Sequence, residues 1–277
     1  MRRPLASLFG PALAICAGVA LTCAGGVERS AHAQASVVDS VVAPAPVVSA
    51  KQPQIGLSTL APQSIDNDDP KYPPAYFYKP RSGRSMKPVL VYLHGRDGDP
   101  AAGCRDWARV GTEFGWVLCP SGQELRAAGL RGWGNDPVHS HDNVMGALMA
   151  LRKKFGRRVQ LYGNVLIGFS EGAFIAQNLG EHEPKTFNRW LIIASCDRYF
   201  GYDKSVLETA RKRIKRVYLW TGELDMVAPE SQLAFEHLKS LKIPVRLNVP
   251  KGYWHAIPSE TMGQNFRKAL RWLVSAK

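Results

Sequence analysis

Acidic residues are scarce in this chain of 277 residues: 23 Asp and Glu stand against 36 Lys and Arg, a formal net charge of +13 with histidine neutral. The deficit raises the question of anionic partners, nucleic acid included. Nucleic acid is set aside, because neither interleaved aromatics nor a recognition helix accompanies the basic residues. The clusters Arg152-Lys153-Lys154 with Arg157-Arg158, and Arg211-Lys212-Arg213 with Lys215-Arg216, fall at predicted helix ends. Cations are favoured there, and solvated helix faces account for them. Cysteine is also sparse, at five residues. One cluster, His139-Ser140-His141-Asp142, has metal-ligand spacing, but a loop closing into a helix capped by Ser140 or Asp142 explains it as well.

Long apolar runs are confined to the start of the chain. Arg2 and Arg3 precede an uncharged, mostly apolar stretch from Leu5 to Ala24, and Ala31-His32-Ala33 offers small residues for cleavage. This is the pattern of a secretory signal peptide over residues 1–33, which implies export to the periplasm or the medium. Two other readings compete. One is a retained membrane anchor, though Gly10, Pro11, Gly18, Gly25 and Gly26 dilute the run. The other is a lipoprotein acylated at Cys23, for which Ala20-Leu21-Thr22 is a poor lead-in. With the signal removed, no stable membrane span is expected. Cys104, Cys119 and Cys196 then remain; Cys104 and Cys119 are the candidate disulfide, and three buried thiols are the alternative.

Residues 34–70, rich in Ala, Val, Pro, Ser and Gln, read as a flexible linker, ordered only where it approaches the domain. From 71 onward, continuous apolar runs alternate with helix-like stretches. The runs are 88–93, 116–118, 165–169, 190–194, 217–220 and 244–249; the helices are expected near 102–113, 142–155, 171–180, 203–213, 229–241 and 260–275. Such strands predict a mostly parallel sheet covered on both faces, so residues 71–277 form one doubly wound α/β domain. Apolar residues at 45% and charged residues at 21% suit a globular core.

Gly168-Phe169-Ser170-Glu171-Gly172 reads G-x-S-x-G between an apolar strand and a helical segment. A serine on that tight turn projects its Oγ above the sheet, and glycines two residues either side avoid a clash. A serine nucleophile needs a base, and the base needs an orienting carboxylate, in the chain order Ser, acid, His. Of the histidines after Ser170, His182 and His237 fall near or within helices, whereas His255 lies in a loop after the last strand. Asp225 is the leading acid, with Glu223 as competitor in the same loop and Asp197 and Asp203 behind them. The bland alternative for Asp225 is a helix cap. The backbone N–H of Glu171, and that of Arg96 in His94-Gly95-Arg96, are the expected oxyanion donors. His94 itself is expected to be structural.

Together, His94-Gly95, the Gly168–Gly172 turn, Gly222-Glu223-Leu224-Asp225 and His255 resemble the α/β-hydrolase superfamily over about residues 75–275. The pattern is most similar to small serine esterases: the phospholipase/carboxylesterase, dienelactone-hydrolase and polyhydroxyalkanoate-depolymerase-like groups. The resemblance implies an α/β-hydrolase fold with a minimal lid and a Ser170-Asp225-His255 triad. It implies no cofactor or metal, and a small-molecule or polymeric ester as substrate. Glu171 departs from the usual residue beside the nucleophile, and its charge is expected to disfavour anionic substrates. Trp254 stands where many relatives have Gly, and it is a candidate for the substrate pocket; Trp133 is another, with simple packing as its alternative. A serine peptidase or amidase, and a non-catalytic binding protein on the same fold, are the alternatives.

Overall fold

The computed structural model describes residues 61–83, 85–194, 196–197 and 204–275, all in one compact unit, Leu57–Lys277. The expected signal peptide and the linker up to residue 60 lie outside the described residues, as does Asp203. Among the described residues ten strands occur in chain order: β1 (Gln63–Ile65), β2 (Ala75–Tyr78), β3 (Val89–Leu93), β4 (Trp116–Cys119), β5 (Glu124–Leu125), β6 (Arg131–Gly132), β7 (Asn164–Phe169), β8 (Phe187–Ile193), β9 (Arg216–Trp220) and β10 (Val245–Asn248). The α-helices among the described residues are α1 (Pro100–Gly111), α2 (Pro137–Phe155), α3 (Glu171–His182), α4 (Lys204–Ala210), α5 (Ala228–Ser240) and α6 (Met262–Val274).

Eight strands make one sheet in the order β1-β2-β4-β3-β7-β8-β9-β10, with β5 and β6 as a separate hairpin. From β4 to β10 the neighbours are parallel; β1 and β2 add an antiparallel edge. The reason is in the side chains. Every residue of β3 and β4 is buried, so both faces of the sheet must be covered. The α1 and α6 helices cover one face through Trp107, Phe266 and Leu270. The other face is closed by α2, α3, α4 and α5, through Leu148, Ile175, Leu207 and Leu238. Cys104 of α1 and Cys119 at the end of β4 are joined in a disulfide, with Cα atoms 5.7 Å apart. Closing a loop of this length is worth about 3 kcal/mol in the chain-entropy account. Cys196 keeps its thiol, buried beneath the surface with Sγ 3.3 Å from Glu230 Oε2.

Two expectations need correction. The domain does not begin at residue 71: β1 already pairs with β2, and Asn67 donates to the Asn143 carbonyl at 2.9 Å. A three-residue edge strand has too little apolar pattern to stand out from a linker. The second helix begins at Pro137, not near 142, and neither Ser140 nor Asp142 caps it. Asp136 does, accepting from the N–H groups of Val138 and His139. Asp followed by Pro suits a helix start, because the ring presets φ and removes one orphan donor. The metal-like cluster also disperses: His139 pairs with Asp136 at 2.5 Å, and His141 bridges Asp142 and Glu183. Among the described residues no group of three His, Cys, Asp or Glu is placed to hold a metal ion, and no helix is long and apolar enough to cross a membrane.

From β3 the chain moves to β4 on one side and returns through α2 to β7 on the other. The crevice between β3 and β7 is therefore the switch point of the sheet, where ligands of open α/β sheets bind at the carboxyl ends of the strands.

Candidate active site

Ser170 sits at this crevice, at the end of β7 and as the N-cap of α3, with φ 53° and ψ −119°. A non-glycine residue rarely adopts that conformation, and the surroundings enforce it. The Ser170 N–H donates to Ile193 O of the neighbouring β8, and its carbonyl accepts from Ala173 and Phe174. Gly172 is required for the same turn. A Cβ there would stand 2.2 Å from Leu93 O and 2.4 Å from His94 O, so α3 packs directly on the backbone leaving β3.

His255 and Asp225 reach Ser170 from loops after β10 and β9. His255 Nε2 lies 2.9 Å from Ser170 Oγ, and His255 Nδ1 lies 2.8 Å from Asp225 Oδ2. Asp225 is acceptor-only when ionised, so Nδ1 donates to it and Nε2 is left to accept from the serine. Asp225 is buried, whereas His255 is open to solvent. The cap reading of Asp225 does not hold, because α5 starts after Val227 and has no side-chain cap; Asp225 Oδ1 instead accepts from Val227 N at 3.0 Å in the turn before the helix, which aims Oδ2 at the imidazole. The two loops are fastened together. Leu224 N donates to Tyr253 O at 2.9 Å, and Gly222 packs so closely that a Cβ would stand 2.2 Å from the same oxygen. Glu223 is exposed and accepts from Gly252 N at 3.3 Å, so it braces the histidine loop from outside. Asp197 faces His237, 3.1 Å away, and His182 bonds Asn178 O; none of these joins the Ser170 chain.

The loop after β3 runs alongside the serine: a Cβ on Gly95 would lie 3.3 Å from Ser170 Cβ. The next N–H is that of Arg96. The Glu171 N–H, in the first turn of α3, has no intrahelical partner, by the geometry of any helix start. His94 is 2% exposed and locks this loop, with Nδ1 2.8 Å from Gly95 O and Nε2 accepting from Gly122 N at 3.0 Å. Burial holds its pKa below the ordinary 6.5. The unfolded state therefore binds the proton first on acidification. His94 contributes stability that is full above pH 6.5 and is lost as pH falls toward its lowered folded value. His141, raised by its hydrogen bond to Glu183, works in the opposite sense. His94→Gln is expected to flatten the acid limb of unfolding midpoint against pH. An unchanged limb in thermal melts from pH 7 down to 5 would count against this assignment.

Trp133 takes the packing alternative, and Glu171 is placed otherwise than expected. Trp133 is wholly buried, so it does not line an open pocket. Its ring lies 5.2 Å from His94, and Nε1 donates to His94 O at 2.8 Å. The Glu171 carboxylate does not face substrate: it is buried and accepts from Trp133 N and Asn135 N, with Arg96 Nη2 at 3.7 Å. These donors neutralise the charge expected to repel anions. Gly134 and Asn135, both at positive φ, let this backbone curl into a nest around a carboxylate. Gly-Trp-Gly-Asn hints at such a nest, but its partner lies too far along the chain to be read from sequence. Phe169 was missed as well; its ring lies 5.1 Å from His255, beside the serine. Trp254 is 68% exposed, and with Leu224 and Met226 it forms an apolar rim on the loops that carry Asp225 and His255.

No protein-family profile matches the sequence, and no curated protein is significantly similar to it. Solved structures are similar. Esterase PE8 aligns at TM-score 0.55 and 22% identity, over 73% of this chain and 98% of its own. A carboxylesterase of Bacillus cereus aligns at 0.51 and 21%, over 72% and 92%. The fluorophosphonate-binding serine hydrolase FphF of Staphylococcus aureus aligns at 0.57 and 14%, over 78% and 98%. Strand order, the turn at Ser170 and these likenesses agree: the chain has the α/β-hydrolase fold.

Proposed function

We propose that the protein is an exported serine hydrolase that cleaves carboxylic esters through an acyl-enzyme. The observation that carries the reading is the hydrogen-bonded chain from Ser170 Oγ through His255 to Asp225 on a strained turn at the sheet's switch point. In this reading Ser170 Oγ attacks the acyl carbon while His255 Nε2 takes its proton, and Asp225 stabilises the imidazolium. The carbonyl oxygen, now negative, is met by the N–H groups of Arg96 and Glu171. Collapse of the intermediate expels the alcohol with the proton from His255. Water then gives a proton to His255 and attacks the acyl-enzyme; as this second intermediate collapses, His255 returns the proton to Ser170 Oγ and the acid is released. No step calls for a metal or cofactor. The open His255, the half-exposed Phe169 and the apolar rim of Leu224, Met226 and Trp254 favour a small or extended ester with an apolar part. That the named neighbours are esterases and a serine hydrolase supports the class. The signal-like residues 1–33 and the Cys104–Cys119 disulfide support export.

The test is labelling of the folded protein by a fluorophosphonate probe, followed by p-nitrophenyl esters of increasing chain length and matched peptide amides. Labelling with ester turnover is expected. Amide hydrolysis without ester hydrolysis would move the reading to a peptidase, and absence of labelling would move it to a binding protein. N-terminal sequencing of exported protein is expected to begin at Gln34.

A further inference from the structure

We propose that Glu171 is a positioning residue for the oxyanion hole: its buried carboxylate latches the loop at residues 132–135 onto the start of α3 and thereby fixes the Arg96 N–H relative to Ser170. The inference rests on the acyl-transfer reading above. Its material is a continuous set of contacts. Glu171 Oε2 accepts from Trp133 N at 3.0 Å and Oε1 from Asn135 N at 3.1 Å, with the Arg96 guanidinium on the same oxygen at 3.7 Å. Trp133 then passes the constraint on, because its Nε1 holds His94 O, two residues before Arg96. The His94 ring in turn ties down Gly95 O and Gly122 N. Both expected oxyanion donors, the N–H groups of Glu171 and Arg96, thus belong to one network centred on the Glu171 side chain.

The residue type follows from the donors. Two converging N–H groups and a guanidinium require a group that only accepts, and does so with two oxygens. Glutamine supplies one oxygen and sets its amide N–H against the other donor. A buried carboxylate beside the nucleophile would by itself oppose negative charge developing on the substrate. The two N–H groups, Arg96 and the positive end of α3 offset that, and what remains is the geometry.

The variants are Glu171→Gln and Trp133→Phe, the latter keeping a ring but deleting the Nε1 donor. Active sites are counted with a fluorophosphonate, and turnover is compared on an aryl ester and on its thionoester, whose sulfur accepts hydrogen bonds poorly. Loss of a whole oxyanion donor costs about 10²–10³ in kcat, so a displaced donor is expected to cost about 10- to 100-fold. KM is expected to stay within about threefold, since the interaction is made only in the transition state. The ester-to-thionoester rate ratio should fall about tenfold, by the same loss of donor strength. Trp133→Phe should move it in the same direction, and the double variant should lose less than the product of the two. A role in stability alone would lower the unfolding midpoint and leave kcat per active site and the ratio at wild-type values, which would overturn the proposal. Should Glu171→Gln not fold, an unchanged ratio in Trp133→Phe overturns it. Failure of the wild-type protein to label or turn over would instead overturn the acyl-transfer reading.

Discussion

Replacing Ser170 by Ala is expected to abolish fluorophosphonate labelling and to lower kcat for the best ester by about 10⁶-fold, the scale of losing a nucleophile from such a set. The protein should remain folded. Alanine keeps the Cβ, and the backbone bonds from Ser170 to Ile193, Ala173 and Phe174 hold the turn without the hydroxyl. A residual rate about 10³–10⁴ above the uncatalysed reaction is expected, because backbone donors and binding survive. Ser170→Ala combined with His255→Ala should be scarcely slower than Ser170→Ala alone, since a base has nothing to activate once the hydroxyl is gone. Labelling that persists in Ser170→Ala would place the nucleophile elsewhere.

Asp225→Asn is expected to lower kcat by about 10⁴-fold with KM little changed. The substitution is nearly isosteric, and the amide oxygen of the new side chain continues to accept from Val227 N, so the loop stays in place. The amide nitrogen then meets His255 Nδ1 donor to donor. The imidazole relieves this by moving its proton to Nε2, where it points at Ser170 Oγ and the ring no longer accepts the serine proton. Glu223→Gln tests the competitor: the Glu223 carboxylate accepts from Gly252 N and lies outside the chain to Ser170, so its loss should cost less than about threefold, the scale of an exposed contact. Equal losses in the two variants would sink the assignment of Asp225. Circular dichroism and the unfolding midpoint, close to wild type in both, separate chemistry from folding.

Much of this arrangement was legible in the residue order. Continuous apolar runs such as Val89–Leu93 announce a sheet buried on both faces, and G-x-S-x-G at a strand-to-helix boundary announces a turn that only certain residues permit. Asp225 and His255 were readable because each follows a predicted strand, and the carboxyl ends of parallel strands gather on one edge. The edge strand β1 was not legible, since three residues half exposed on a sheet border carry almost no pattern. The start of α2 was less legible, since Ser140 and Asp142 are cap residue types as good as Asp136, and only the fold shows that the helix begins at Pro137.

Glu171 marks the division. Its position, one residue past the serine, follows from sequence alone, and so does the availability of its N–H at a helix start. The direction of its side chain does not. Hydrogen-bond partners 36 and 38 residues away are brought to it by the return of the chain through the β5–β6 hairpin, and no local periodicity encodes that return. Trp133 likewise reads from sequence as either a pocket or a packing aromatic, and the tertiary structure turns it inward, where its N–H meets a buried carbonyl. Sequence by itself determined the sheet, the turn at Ser170 and the chain order of Ser170, Asp225 and His255, because these obey local sterics and strand-end topology. Only the tertiary structure decided what the buried charge beside Ser170 does, because a carboxylate out of water must find donors, and here they come from a distant loop.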